Sequence, residues 1–439
     1  MEDYDKKEKF CIVPFILLNT RPNGTIKPCS EVQNMDSIHK DKTYQEMLTN
    51  DKKTYWNLQH DDLKEIWNSR FYKDFRLKKI NNEYISHCET CYYQDKIGIP
   101  SKRKQYIERF YEKYKHIVEY AKNNNGELNT FPIWWEFRLS SLCNLGCRFC
   151  IPQTSSFLRE EFNKNFDYLT DFSKRDAVSS MKLYQNHGYL SQSEFFINQI
   201  FKYLENIEYI ELHGGEPTLE PKVWEILEKI DHLGYSSRIH INMFSNCMQI
   251  KEEQIKLLNK FKSGKLGLSI DAYREENHYI RYPSKWDKIE NNLLKFNKLD
   301  KKWDKRIASV IVAYNTLSVH KLLDWYNNFA KEHDLDIWMN LNVIKHPFHF
   351  KPQIIPLEYR LKEVEKVEKF LNSWMCTESK FSEIHKKEIG NIIKSLKSEE
   401  KIDEKWIENF VKYTLSLDKI RKQNVLDYFP HLDFLFTKK

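Results

Sequence analysis

Short apolar, β-prone runs recur through the middle of the chain at 134–139, 209–213, 238–244, 265–271, 307–314 and 337–344. Amphipathic stretches of helical spacing lie between them at 193–204, 221–233, 251–262, 286–299 and 318–332. Strands alternating with helices predict an α/β fold built on a parallel sheet with crossover connections. Upstream, 15–19 and 25–28 read as two short strands joined by Arg21-Pro22-Asn23-Gly24, because Asn-Gly supplies the positive φ of a tight turn. Residues 107–130 read as a helix and then a loop. Downstream, 356–371, 378–396 and 406–423 read as amphipathic helices, a C-terminal helical extension that closes or braces the rest.

The chain has 439 residues, 41% hydrophobic and 14% aromatic, enough for a large core and about two or three domains. The expected division is a small N-terminal cysteine-rich domain over 1–106, a linker over 107–130, the α/β domain over 131–347 and the extension over 348–439. The net charge of +7 is spread thinly, so charge alone does not point to nucleic acid, and no basic stripe interleaved with aromatics stands out. The apolar run Cys11–Leu18 is too short to span a membrane and contains Pro14, so neither a targeting nor a membrane segment is expected. Of the nine cysteines, seven fall in tight motifs, unlike a disulfide framework, which predicts a reducing, cytoplasmic setting.

The chemistry centres on Leu139–Pro152, where Cys143, Cys147 and Cys150 stand in C-x3-C-x2-C spacing. Three thiolates this close wrap one corner of a metal centre and fall one short of closing it. A [4Fe–4S] cluster held this way keeps one iron open to a small molecule; a zinc knuckle or three buried thiols is the plainer alternative. Phe149, inside the C-x2-C, is placed to cover a flat ligand beside the centre. A second set joins Cys11 and Cys29, which flank the N-terminal hairpin, to the C-x2-C pair Cys88 and Cys91. Four cysteines suit either an iron–sulfur cluster or a structural zinc ribbon.

The triplet after a predicted strand resembles the signature of the radical S-adenosylmethionine enzymes, and the resemblance runs most strongly from Glu136 to Trp286. It implies a partial (β/α)6 TIM-like barrel with chemistry at the C-terminal strand ends. Gly214-Gly215-Glu216-Pro217 matches the motif that holds the cofactor's amino group: glycines let backbone approach, and Glu216 accepts from an ammonium. Ser245-Asn246-Cys247 stands where the family often has Thr-Asn-Gly, which makes Ser245 and Asn246 candidates for the ribose or methionine part and Cys247 a small buried side chain. Ser269 and Arg281 are candidates for the cofactor carboxylate, which a guanidinium grips bidentately, with Asn315 a weaker one. His213 reads as a hydrogen-bonded structural histidine, and Cys376 as structural. No catalytic side chain is singled out.

The opening C-x12-G-x4-C followed by C-x2-C, with Leu63–Ser69 and Arg76 between them, resembles the SPASM and twitch modules that bind auxiliary clusters. Here the module precedes the barrel and lacks the second half of a full SPASM pattern, so one auxiliary cluster is expected, with zinc as the alternative. The resemblance implies an electron donor such as flavodoxin or ferredoxin and reductive cleavage of S-adenosylmethionine. The products are methionine and a 5'-deoxyadenosyl radical that takes a hydrogen from substrate. A peptide or protein is the preferred substrate, a sugar or other small molecule the alternative. A non-catalytic protein with zinc at both sites is the rival of a different class. The insertion 151–186 is the expected substrate contact.

Overall fold

The strands are β1 (Leu17–Thr20), β2 (Ile26–Lys27), β3 (Trp134–Arg138), β4 (Tyr209–His213), β5 (His240–Ser245), β6 (Ser263–Leu268), β7 (Trp303–Ile311) and β8 (Trp338–Val343). They form one sheet in the order β2-β1-β3-β4-β5-β6-β7-β8. The pairs β1–β3, β3–β4, β6–β7 and β7–β8 are parallel, and β1–β2 is antiparallel. This computed structural model describes residues 7–437 apart from 33, 34, 36, 41, 45, 47–54, 99 and 185–187. Residues 1–6, 185 and 186, which the expected N-terminal domain and insertion include, lie outside the described residues, as do 438 and 439 of the extension. By internal contacts the chain divides into two compact units, 1–140 with 186–214 and 221–242, and 141–185 with 215–220 and 243–439.

β3 to β8 are the six strands of the expected β/α units. In the first unit the N-terminal hairpin extends the same sheet, with Leu17 opposite Trp134 and Asn19 opposite Glu136. The hairpin's first strand starts at Leu17 rather than Phe15, because Val13–Ile16 makes one helical turn with Pro14 at its start, where a fixed φ suits a helix. Gly24 takes φ +83°, and a Cβ there would lie 2.1 Å from Asn57 Oδ1, so the turn needs glycine twice over. Both faces of β3 are covered. Trp135 and Phe137 meet Phe196, while Trp134 meets Tyr106 and Phe110 of the helix Lys102–Asn123. That two-sided burial is why two tryptophans stand side by side at 134 and 135, on opposite faces of one strand. Arg76, fully buried, donates to the carbonyls of Pro14, Trp67 and Gly126 at 2.9, 2.8 and 3.0 Å, fastening the helices Leu63–Trp67 and Arg70–Ile80 to the turn before β1.

In the second unit β7 starts four residues before the expected run. Lys305 hides the extension: its Nζ is buried against the Leu299 carbonyl at 2.6 Å and Asp336 at 3.1 Å, so a charged residue fills a strand position. The insertion after the cysteine triplet holds two helices, Ser156–Lys164 and Asp171–Tyr184. The tail forms the helices Leu357–Glu368, Ser382–Leu396 and Glu404–Arg421. Phe410, Leu417 and Phe429 of the tail share a core with Tyr279, Tyr314 and Phe350. Among the described residues no helix is long and apolar enough to cross a membrane.

Candidate functional site

The cysteine loop is held through its backbone. Gly146 N–H donates to Tyr282 O at 2.7 Å and Arg148 N–H to Ile280 O at 2.8 Å. Ser155 Oγ donates to Leu145 O at 2.7 Å, and Cys143 N–H to Ser156 Oγ at 3.1 Å, so the first residues of the helix Ser156–Lys164 cap the loop. Burial pushes the Cys143 and Cys147 thiols up to about 12, against the pull of the Arg281 guanidinium on Cys147. Burial thus keeps these thiols protonated while no cation is near, and a metal that bound them would displace the protons. Cys150 Sγ lies 3.3 Å from Thr154 Oγ1.

Three of the predicted motifs meet this loop within the second unit. A Cβ on Gly215 would stand 2.1 Å from Leu142 O, and Glu216 N–H donates to that same carbonyl at 2.7 Å. Only glycine lets the turn press on the backbone leading into Cys143. In the first unit Gly214 takes φ +132° beside Ser140 O. The Glu216 carboxylate is buried and accepts from Asn246 N–H at 2.5 Å and from Thr218 N–H and Oγ1 at 3.2 and 2.7 Å. Burial raises its pKa, and those donors hold it down in part. Glu216 thus ties its own turn to the turn after β5. Asn246 Nδ2 donates to Asn144 Oδ1 at 2.8 Å, carrying that turn on to the cysteine loop. Ser269 N–H donates to Ser245 O at 2.8 Å, which brings the ends of β5 and β6 together.

Cys247 sits at φ +62° and is fully buried, its Sγ 3.5 Å from Ile289 O. A left-handed backbone of this kind is one that glycine adopts more readily than cysteine. Arg281 is a buried group rather than a surface one. Its Nε donates to Asp271 Oδ2 at 2.6 Å, Nη1 lies 3.8 Å from Cys147 Sγ, and the guanidinium stands 5.4 Å from the centre of the Phe149 ring. Burial works against its charge, but Asp271 and Cys147 hold the pKa above the usual arginine value. Asn315 Nδ2 donates to Asp271 O at 2.7 Å, which makes it a brace for the same acid. His213 pairs with Glu211 at 2.8 Å in the first unit, the structural role its sequence context predicts.

In the first unit Cys11, Cys29, Cys88 and Cys91 line one pocket with Val13, Phe75 and Lys79. Burial pushes the Cys11 thiol up to about 12, Cys29 well above its ordinary value, and Cys91 upward. Lys79 Nζ donates to Cys88 Sγ at 3.3 Å and to Tyr92 Oη at 2.7 Å, and Glu31 N–H to Cys29 Sγ at 3.4 Å. Among the described residues no three Cys, His, Asp or Glu side chains close on the point of a single ion; these sulfurs share a pocket instead. Four thiols with a lysine and a backbone N–H aimed at sulfur make a donor set that fits a cluster.

A groove of about 700 Å³ opens beside Phe149 and Cys150. The insertion supplies Ile151, Phe162, Phe172 and Asp176, as expected for a long loop at this place. Sequence reasoning missed the other wall, which is His346–Phe350 with Trp406 and Tyr413 of the tail. The seven-residue interval from Trp406 to Tyr413 put both on one helix face, a signal indistinguishable from ordinary core.

Comparison with known proteins accords with this geometry. The model of the radical SAM superfamily matches residues 137–326, and that of the SPASM iron–sulfur cluster-binding domain matches residues 11–92. Residues 137–326 thus form a radical SAM domain, and residues 11–92, N-terminal to it, a SPASM domain. The chain's cofactors are accordingly [4Fe–4S] clusters and S-adenosylmethionine. None of the curated proteins matches. Among solved structures, anSMEcpe with bound AdoMet and Kp18Cys peptide is 18% identical, with 54% of this chain and 61% of that chain covered at a TM-score of 0.35. Streptococcus suis SuiB bound to S-adenosylmethionine is 16% identical, over 68% of this chain and 61% of that one, TM-score 0.32. SuiB bound to the precursor peptide SuiA is 16% identical, over 88% and 70%, TM-score 0.33. The chain thus matches about three fifths of the length of the first of these structures.

Proposed function

We propose that this protein is a radical S-adenosylmethionine enzyme that modifies a peptide or protein. The observation that carries the reading is the convergence on one loop: Cys143, Cys147 and Cys150 stand where the Gly215 turn presses on the Leu142 backbone and Asn246 donates to the Asn144 side chain. Cys143, Cys147 and Cys150 hold a [4Fe–4S] cluster with one open iron, and the cluster with S-adenosylmethionine supplies one-electron cleavage of a carbon–sulfur bond and abstraction of a substrate hydrogen. Gly214 and Gly215 bring the backbone close enough for the cofactor's amino acid end, and Phe149 covers it. Ser245, Asn246 and Ser269 line the turns that face it. Arg281 sets a positive charge beside Cys147, which favours the reduced, more negative state of the centre.

The four-cysteine pocket holds a second cluster, with Lys79 and the Glu31 N–H tuning its sulfurs. A flavodoxin or ferredoxin is the matching donor, and seven metal-binding thiols fit a reducing cytoplasm. The open groove of about 700 Å³ favours a peptide over a small metabolite, since its aromatic walls offer contact area along an extended chain.

The test is anaerobic reconstitution followed by iron analysis and chemical reduction with S-adenosylmethionine. About eight irons per chain and release of 5'-deoxyadenosine are expected. Cys143, Cys147 and Cys150→Ala together should lower iron to about four and abolish release. Wild-type protein that takes up zinc and no iron overturns the reading. Trp406→Ala should raise the KM for a peptide substrate more than it changes kcat, whereas a small-molecule substrate would be indifferent to it.

A further inference from the structure

We propose that the tail helix Glu404–Arg421 is a clamp on the cysteine loop, with Asp418 and Arg421 as positioning residues for the cluster corner. The inference rests on the cluster assignment above. Arg148 lies between the second and third cysteines and is fully buried. Its Nη2 donates to Asp418 Oδ1 at 2.6 Å and to Gln423 Oε1 at 2.9 Å, and its Nε donates to Tyr279 O at 3.0 Å. The guanidinium lies 3.5 Å from the centre of the Tyr279 ring, whose hydroxyl donates to the same Asp418 oxygen at 2.7 Å. One carboxylate thereby holds both the arginine and the ring it stacks on.

Arg421 makes the second grip. Its Nη2 donates to Gly146 O at 2.6 Å and to Glu161 Oε2 at 2.7 Å, and its Nε to Glu161 Oε1 at 3.0 Å. A Cβ on Gly146 would stand 2.9 Å from that Nη2, so the glycine next to Cys147 leaves room for the guanidinium. Glu161 belongs to the helix that caps the loop, so Arg421 ties both sides of it.

A tail that only covered the sheet would need its apolar side chains, Phe410, Leu417 and Phe429, which are all buried. Two buried charge pairs aimed at residues 146 and 148 are not needed for cover. A buried charge is costly unless paired, and losing either partner strands the other, so each pair transmits its loss to the loop. Outer contacts of this kind orient metal ligands elsewhere, and their removal weakens metal binding about tenfold to a hundredfold. The same helix walls the groove with Trp406 and Tyr413, so the residues that hold the loop and those that meet a substrate share one rigid element.

The test compares holoprotein of wild type, Asp418→Asn and Arg421→Lys. Iron at this site is the difference between each protein and its counterpart with Cys143, Cys147 and Cys150→Ala. Loss of that iron to a chelator should be about tenfold faster in both variants. The electron paramagnetic resonance spectrum of the reduced centre should change, and amide exchange over 143–150 should quicken while that of β7 stays as in wild type. Unchanged iron loss and spectrum overturn the clamp, including the case where only the melting temperature falls, because the helix is then a brace. Gln423→Leu removes one hydrogen bond to Arg148 and no charge; should the charge variants fail to fold, its iron loss decides the matter by the same criterion. Wild type without iron at the three cysteines overturns the functional reading instead.

Discussion

Arg281 joins Asp271 to Cys147: its Nε donates to Asp271 Oδ2 at 2.6 Å while Nη1 lies 3.8 Å from the cysteine sulfur. Asp271 in turn accepts from Val310 N–H at 2.8 Å, so the charge beside the cluster corner is anchored in β7. Arg281→Gln leaves Asp271 buried without its counter-charge, and a loss of about 3–5 kcal/mol in unfolding free energy is expected. The reduced cluster loses a stabilising positive charge, so its midpoint potential should move to more negative values in a spectroelectrochemical titration. An unchanged potential would remove Arg281 from the cluster's surroundings.

The Gly215 turn has no room for a side chain, since a Cβ would meet Leu142 O at 2.1 Å. Gly215→Ala should cost roughly 3 kcal/mol and weaken S-adenosylmethionine binding in calorimetry of the reconstituted protein. Gly390 is the control. It lies exposed in the helix Ser382–Leu396, where a Cβ would meet nothing within 4 Å, and Gly390→Ala should stabilise by about 0.5–1 kcal/mol.

At the four-cysteine pocket, Cys29→Ala should remove about four irons and leave the three-cysteine cluster in place. Lys79→Met deletes the donor to Cys88 and a buried positive charge. It should keep the iron but shift the auxiliary centre's potential downward. Loss of zinc with no loss of iron in Cys29→Ala would show the pocket to be a zinc ribbon.

His349 carries a pH dependence. Burial lowers its pKa from 6.5 to about 4, and its Nε2 has no hydrogen-bond partner. Between those values the unfolded chain binds a proton that the folded chain refuses, so stability rises with pH across the window and falls on acidification. The loss from pH 6.5 to 4 amounts to at most about 3 kcal/mol from this group. Denaturant melts at both pH values should show the fall, and His349→Phe should reduce it, leaving the part that His431, lowered to about 4 by its own burial, contributes.

Much of the site was legible because metal ligands, turn glycines and strand–helix alternation are short-range patterns. Cys143, Cys147 and Cys150 lie within eight residues, so chain connectivity alone brings them together, and Gly214-Gly215 marks a close approach whatever the backbone it approaches. The position of Cys247 was legible too, although its reason, a φ of +62°, was not. What stayed hidden was long-range and charged. Lys305 looks like a loop residue until Leu299 O and Asp336 bury it.

The sequence by itself determined the order of strands and helices, the two cysteine sets and the glycine turn, because periodicity and ligand spacing are properties of a few neighbouring residues. Tertiary structure alone decided that the N-terminal hairpin extends the parallel sheet, that Glu216 faces Asn246 N–H, and that the tail reaches Gly146 and Arg148. Arg148 and Asp418 are 270 residues apart. A buried charge takes whichever partner the fold brings to it, and no local pattern encodes that choice.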